Sequence, residues 1–148
     1  MIWRVGVEST RDGLRVAYTY NTKFPPNCPP KDAVPANSDV FSSIKKLPIK
    51  SDHFLSDVER KKKGSDPCKC DDWGCSIWTT EESALLGRAI IPGFKKYYIV
   101  RATLSSADGE MLATPSQGQE GHYTFWKVAG LDLSPKFSVY LEPDTGED

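Results

Sequence analysis

Apolar positions along this chain recur with two rhythms, and each predicts different elements. Ile2 to Val7 reads as a short strand, Arg11-Asp12-Gly13 as a turn, and Leu14 to Tyr20 alternates apolar and polar residues of β-forming type. A hairpin is expected there, with a short helix as the alternative for the second segment. Pro25, Pro26, Pro29, Pro30 and Pro35 exclude regular structure up to Asn37. Ser38 and Asp39 then offer an N-cap for a short helix through Ile44 to Lys46, stopped by Pro48. Ser51 or Asp52 can cap a second helix that holds Phe54, Leu55 and Val58. It would end at Lys61-Lys62-Lys63-Gly64, where lysines and a glycine suit the negative end of a helix dipole.

From Cys75 onward the pattern is more regular. Ser76-Ile77-Trp78-Thr79 is strand-like, and Thr80-Glu81-Glu82-Ser83 opens a helix with an N-cap and early acids. That helix carries Ala84, Leu85, Leu86, Ala89 and Ile90 and stops before Pro92-Gly93. Tyr97 to Leu104 is a strand by its apolar and β-branched run. A polar connection from Ser105 to Glu120 holds a brief strand around Met111-Leu112. His122 to Val128 and Phe137 to Leu141 supply two more strands before an acidic tail. Several strands with few helices predict an α+β domain over 1–148, with 25–75 as a loop-rich, Cys-containing stretch.

Composition narrows the function classes. In 148 residues, 39% are hydrophobic and 11% aromatic, enough for a core and outside the range of disorder. A net charge of -1 provides no general basic field for a polyphosphate chain. The apolar runs are too short to cross a bilayer, and the first residues lack the apolar core of a secretory signal. The expectation is a cytoplasmic protein without membrane contact, or one delivered into a target cell. The cation run Arg60 to Lys63 reads as a solvated helix end, with phosphate contact as its alternative.

Cys68, Cys70 and Cys75 fall close together and Cys28 stands well upstream. Two disulfides, a zinc site completed by Cys28 or His53, and reduced thiols in a loop are all open readings. The spacing C-x-C-x4-C is not a paired C-x2-C knuckle, so no metal is assigned.

Nucleotide-binding and nucleophile-elbow motifs are absent. What stands out is a set of polar residues at strand ends. Arg4 lies in the first apolar strand, where an unpaired arginine is costly. Ser76, Thr79 and Thr80 mark a strand-to-helix junction. Glu120 precedes the aromatic strand after a Gln/Gly-rich loop, with His122 two residues on. Each also has a plain structural role open to it: ion-pair partner, helix cap, loop acid, core histidine.

The order of these pieces resembles the mono-ADP-ribosyltransferase superfamily. The matching stretches are Trp3-Arg4-Val5-Gly6, then Ser76-Ile77-Trp78-Thr79-Thr80-Glu81-Glu82-Ser83-Ala84, then Gln117 to Trp126. They cover residues 1–20 and 75–141, with the proline-rich segment as an insertion. The resemblance implies a bent, split antiparallel β-core with a few short helices around NAD. It implies Arg4 on the pyrophosphate, Thr79, Thr80, His122 and Tyr123 at the cofactor, and Glu120 as the catalytic carboxylate. The family's leading serine falls on Trp78. Pairing from Gln117 would place Gln119 at the catalytic position; Glu120 is preferred as the only carboxylate beside this strand.

The chemistry suits these residue types. Cleaving nicotinamide from NAD builds oxocarbenium-like charge on the ribose, which a carboxylate stabilises. An arginine fork holds a pyrophosphate in two-pronged fashion. Tyr123, Trp78 and Tyr18 are candidates to sandwich nicotinamide, with core packing as their other role. The expected function is transfer of ADP-ribose from NAD to a macromolecular acceptor, protein or nucleic acid, through the Ser105–Gln119 connection. A toxin or defence effector of this kind implies a cognate antitoxin or immunity protein. Two alternatives stand beside it: a zinc- or disulfide-stapled binding module, and a small ribonuclease-like hydrolase using His122, Glu120 and an arginine.

Overall fold

The computed structural model describes residues 4–9, 15–91, 93–116 and 118–143, with side chains from Tyr18 onward apart from Phe94. The expected turn at Arg11-Asp12-Gly13, Gln117 and the end of the acidic tail lie outside the described residues. Strands β1 (Arg4–Ser9) and β2 (Arg15–Tyr20) pair antiparallel, so the hairpin forms and the second segment is a strand. The other strands are β3 (Val34–Pro35), β4 (Ser38–Ile44), β5 (Cys75–Trp78), β6 (Tyr98–Leu104), β7 (Gly109–Ala113), β8 (His122–Lys127) and β9 (Ser138–Leu141). They make one antiparallel seven-stranded sheet in the order β3-β7-β8-β5-β4-β6-β9. A single α-helix, α1 (Glu81–Ile90), and several 3-10 turns complete an α+β fold.

Helix α1 begins where its sequence signals say. Thr80 is extended and its hydroxyl accepts the Ser83 backbone N–H at 3.1 Å, while Glu81 and Glu82 occupy the positive end of the dipole. The helix ends at Ile91, next to Pro92, which cannot continue it.

Two helical expectations are overturned. Ser38–Ile44 is strand β4, in the interior of the sheet between β5 and β6, paired with β6 at seven positions from Ser38↔Leu104 to Ile44↔Tyr98. The Asp39 carboxylate caps nothing; it accepts from Thr103 at 2.6 Å and Arg101 at 2.7 Å across the strand pair. The stretch expected as a second helix holds one 3-10 turn, Ser51–Phe54, followed by turns. There Ser56 and Glu59 bond reciprocally, Ser56 N–H to the carboxylate and Glu59 N–H to the hydroxyl, closing a turn instead of starting a helix.

The sheet nearly parts in its middle. Strands β4 and β5 share one paired position, Phe41↔Trp78, against four between β5 and β8. One face carries Val40, Ile77, Val100, Leu104 and Phe125, covered by Phe54, Leu133 and Phe137. On the other, Phe41, Trp78 and Ile99 meet Ala84 of α1. Farther along, Trp126 packs with Tyr18, Tyr20 and Trp73.

That last cluster settles the cysteines. Cys28 and Cys70 form a disulfide with Cα atoms 5.4 Å apart, and the Trp126 indole N–H donates to the Cys70 carbonyl at 2.9 Å. Cys68 is an exposed free thiol. The half-buried Cys75 donates its thiol to the Phe54 carbonyl at 2.9 Å, and burial pushes its pKa up to about 11. Among the described residues no three His, Cys, Asp or Glu side chains are grouped to hold a metal. Nor is any described helix long and apolar enough to cross a membrane.

Candidate functional site

The register of β5 with β8 brings four of the six expected site residues to one edge. Trp78 stands opposite His122, so the chain leaving β5 through Thr79 and Thr80 runs beside the turn Glu120-Gly121 that enters β8. Gly121 packs directly on Ser83: a Cβ there would collide with the Ser83 Cβ, so only glycine fits this close approach. Ser83 donates its hydroxyl to the Thr80 carbonyl at 3.0 Å, which links the turn to the first turn of α1.

The loop between β7 and β8 is tied internally. Ser116 and Gln119 exchange backbone hydrogen bonds of 3.3 and 2.8 Å around Gly118, whose φ of +80° favours glycine. His122 N–H donates to the Gln119 carbonyl at 3.3 Å, and Thr114 N–H to the His122 carbonyl at 3.0 Å. Glu120 therefore sits on a constrained turn with its side chain exposed. Next to it the Gln119 amide oxygen and the Trp78 indole N–H are both buried with no hydrogen-bond partner among the described residues, close to Gly87 of α1.

His122 is held from two sides. Its Nδ1 lies 3.0 Å from both the carbonyl and the hydroxyl of Thr114, and its ring meets Trp78 edge to face at 5.8 Å. The Thr114 hydroxyl lies 2.8 Å from that of Thr124. Tyr123, one residue on, points to the opposite face and packs against the core with Ile77 and Phe125. Thr80 is the helix cap, Trp78 is 2% exposed and Tyr18 1%. These residues thus take the packing and capping roles open to them.

Where β4 and β5 diverge, a cavity of about 890 Å³ opens, within the size range of ligand pockets. Ser42 and Ser43 of β4 and Ser76 of β5 line it on either side of the split, and Thr114, His122 and Thr124 close one end. His53 and Arg60 reach it from the turns after β4. His53 accepts the Lys50 backbone N–H on Nδ1 at 3.0 Å, and burial, followed by the Lys50 charge, holds its pKa below the usual imidazole value. Thr79, Thr80, Glu120 and Tyr123 lie outside the cavity wall.

Arg4 is not brought to this edge. Its backbone pairs with Tyr20, and the hairpin docks where Ala129 N–H donates to the Thr19 carbonyl at 2.9 Å, past the far end of β8. Five residues of extended chain, about 16 Å, separate that end from His122. The Arg4 side chain lies outside the description.

The serines of β4 and the Thr114–Thr124 pair carry no functional signal in the sequence. Ser42 and Ser43 fall in the stretch whose sequence signals a helix, and hydroxyl residues in a strand carry no signal until their neighbours are known. In comparisons with protein-family models, curated proteins and solved structures, nothing matched this chain.

Proposed function

We propose that this protein is a mono-ADP-ribosyltransferase that cleaves NAD and transfers ADP-ribose to a macromolecular acceptor. The observation that carries the reading is the split between β4 and β5, beside which a cavity with serine and threonine hydroxyls among apolar and charged residues lies next to the end of the β5–β8 pair that carries Thr79, Thr80, Glu120 and His122. In this reading the nicotinamide end of NAD lies against His122, between the cavity and the Glu120 turn. Glu120, exposed on its tied turn, stabilises the cation as the glycosidic bond stretches. NAD is an extended molecule, so Arg4 is left to hold the pyrophosphate away from the reacting carbon. Of the Ser105–Gln119 connection, Gly109–Ala113 is strand β7 inside the sheet, so in this reading only the loop between β7 and β8 faces the acceptor.

The Cys28–Cys70 disulfide favours assembly in an oxidising compartment. It supports a toxin delivered into the cytoplasm of a target cell, with an immunity protein as cognate partner, over a resident cytoplasmic enzyme. The same disulfide, with Phe24, Tyr20 and Trp73 in rows of ring contacts at 5.3 and 5.4 Å, favours a second reading as a disulfide-stapled binding module.

Nicotinamide release from NAD by the purified protein separates the two. The transferase reading expects release by wild type and by Glu142→Gln, an exposed control. Release by Glu120→Gln should be lower by about two to three orders of magnitude, equivalent to roughly 3–4 kcal/mol of transition-state stabilisation. Normal release by Glu120→Gln refutes the mechanism, and none from wild type favours the binding module.

A further inference from the structure

We infer that His122 is the proton acceptor of this site, acting through Nε2, and that the nucleophile it deprotonates bears a proton, as an O–H, N–H or S–H group does and a carboxylate does not. The assignment begins with hydrogen-bond chemistry at the other ring nitrogen. The Thr114 carbonyl oxygen lies 3.0 Å from Nδ1. A carbonyl can only accept, so Nδ1 must carry the proton. The Thr114 hydroxyl, also 3.0 Å from Nδ1, can accept from the same N–H and donate onward to Thr124 Oγ1 at 2.8 Å. In a neutral imidazole with its proton on Nδ1, Nε2 is a bare lone pair.

That lone pair is presented, not spent. Among the described residues Nε2 meets no hydrogen-bond partner, while His122 is half-buried and lines the cavity. The edge-to-face contact with Trp78 fixes the ring plane. The other histidine gives the contrast. His53 receives the Lys50 N–H on Nδ1, so its own proton sits on Nε2, the reverse tautomer. Both line the same cavity, and His122 alone offers Nε2 as a base.

This inference rests on the proposed transferase reading for the reaction that the base serves. The acceptor gives the proton on its nucleophilic atom to His122 Nε2 as that atom bonds the anomeric carbon. The carbon–nitrogen bond to nicotinamide breaks at the same centre, and its electron pair leaves on the neutral nicotinamide. His122 then releases the proton to solvent. A carboxylate acceptor would need no such base. A protic nucleophile, on a macromolecule or on water, does.

Two measurements on the intact protein test it. Long-range proton–nitrogen NMR of the histidine-labelled protein at pH 8 reads the tautomers, with His53→Gln assigning the signals. The expected result is a protonated Nδ1 on His122 and a protonated Nε2 on His53; a protonated Nε2 on His122 overturns the assignment. In the second, His122→Asn keeps an amide N–H able to reach the Thr114 carbonyl but has no basic nitrogen. Single-turnover nicotinamide release at saturating NAD should fall about 100-fold or more. An unchanged rate beside an active wild type overturns the base. An inactive wild type overturns the transferase reading instead, and the tautomer then decides the base assignment alone.

Discussion

Removing the Cys28–Cys70 disulfide tests a covalent tie between the proline-rich segment and the turn before β5. The two cysteines are 42 positions apart. A cross-link of that span removes about 13 cal/mol/K from the unfolded chain, worth about 4 kcal/mol at 25 °C. For a chain of this size the loss should lower Tm by roughly 8–16 °C. The perturbation is best made twice. Reduction of the wild type breaks the bond and removes no atoms, while Cys28→Ala with Cys70→Ala also removes sulfur from a site where Cys28 is fully buried. Urea unfolding should show a lower midpoint and a larger m in both, because the unfolded chain expands once released. The double variant should be the less stable by the packing it loses. Thiol counting runs alongside: exposed Cys68 reacts at once, and Cys75 lags because its buried thiol bonds Phe54 and has its pKa raised to about 11. Unfolding should expose both free thiols, and reduction should free Cys28 and Cys70 as well. Coincident unfolding curves with equal m for the oxidised and reduced protein would refute the reasoning, as would four reactive thiols without reductant.

Gly121→Ala should destabilise the fold by about 1–3 kcal/mol, since the new methyl meets the Ser83 Cβ. Adding Ser83→Gly should recover part of that loss in a double-mutant cycle, and strictly additive effects would contradict the contact. Stability should fall as pH drops through the imidazole range. Burial, then Lys50, lowers the His53 pKa from its ordinary 6.5. The unfolded chain therefore takes the proton first, and stability complete above 6.5 is lost downward until the folded ring protonates. Urea midpoints between about pH 7.5 and 5 should slope less in His53→Gln than in wild type; equal slopes would place the pH dependence elsewhere.

The elements legible in the sequence are those whose signals are local. Thr80 and the acids after it start α1, and Pro92 follows its end, without reference to the rest of the chain. The strands around Tyr98–Leu104 and His122–Lys127 declare themselves through β-branched and aromatic runs. The hairpin and the α+β class follow from such signals. Strand β4 does not, because Val40, Phe41, Ser42 and Ile44 are all buried and the strand shows no polar face to reveal its period. Ser38 and Asp39 imitate a helix start, and only pairing with β6, some sixty residues later, gives Asp39 its partners Arg101 and Thr103. The cysteine pairing was equally closed to sequence, since spacing near Cys70 says nothing of Cys28 until the aromatic cluster brings them together. At the candidate site the sequence singled out Thr79, Thr80, Glu120 and His122 by type and position. The register of β5 on β8 makes them neighbours, places Arg4 at the other end, and lets Thr114 decide which nitrogen of His122 is free. Residue chemistry is carried by the chain itself, but proximity and protonation come from contacts between distant segments, and those exist only once the sheet has formed.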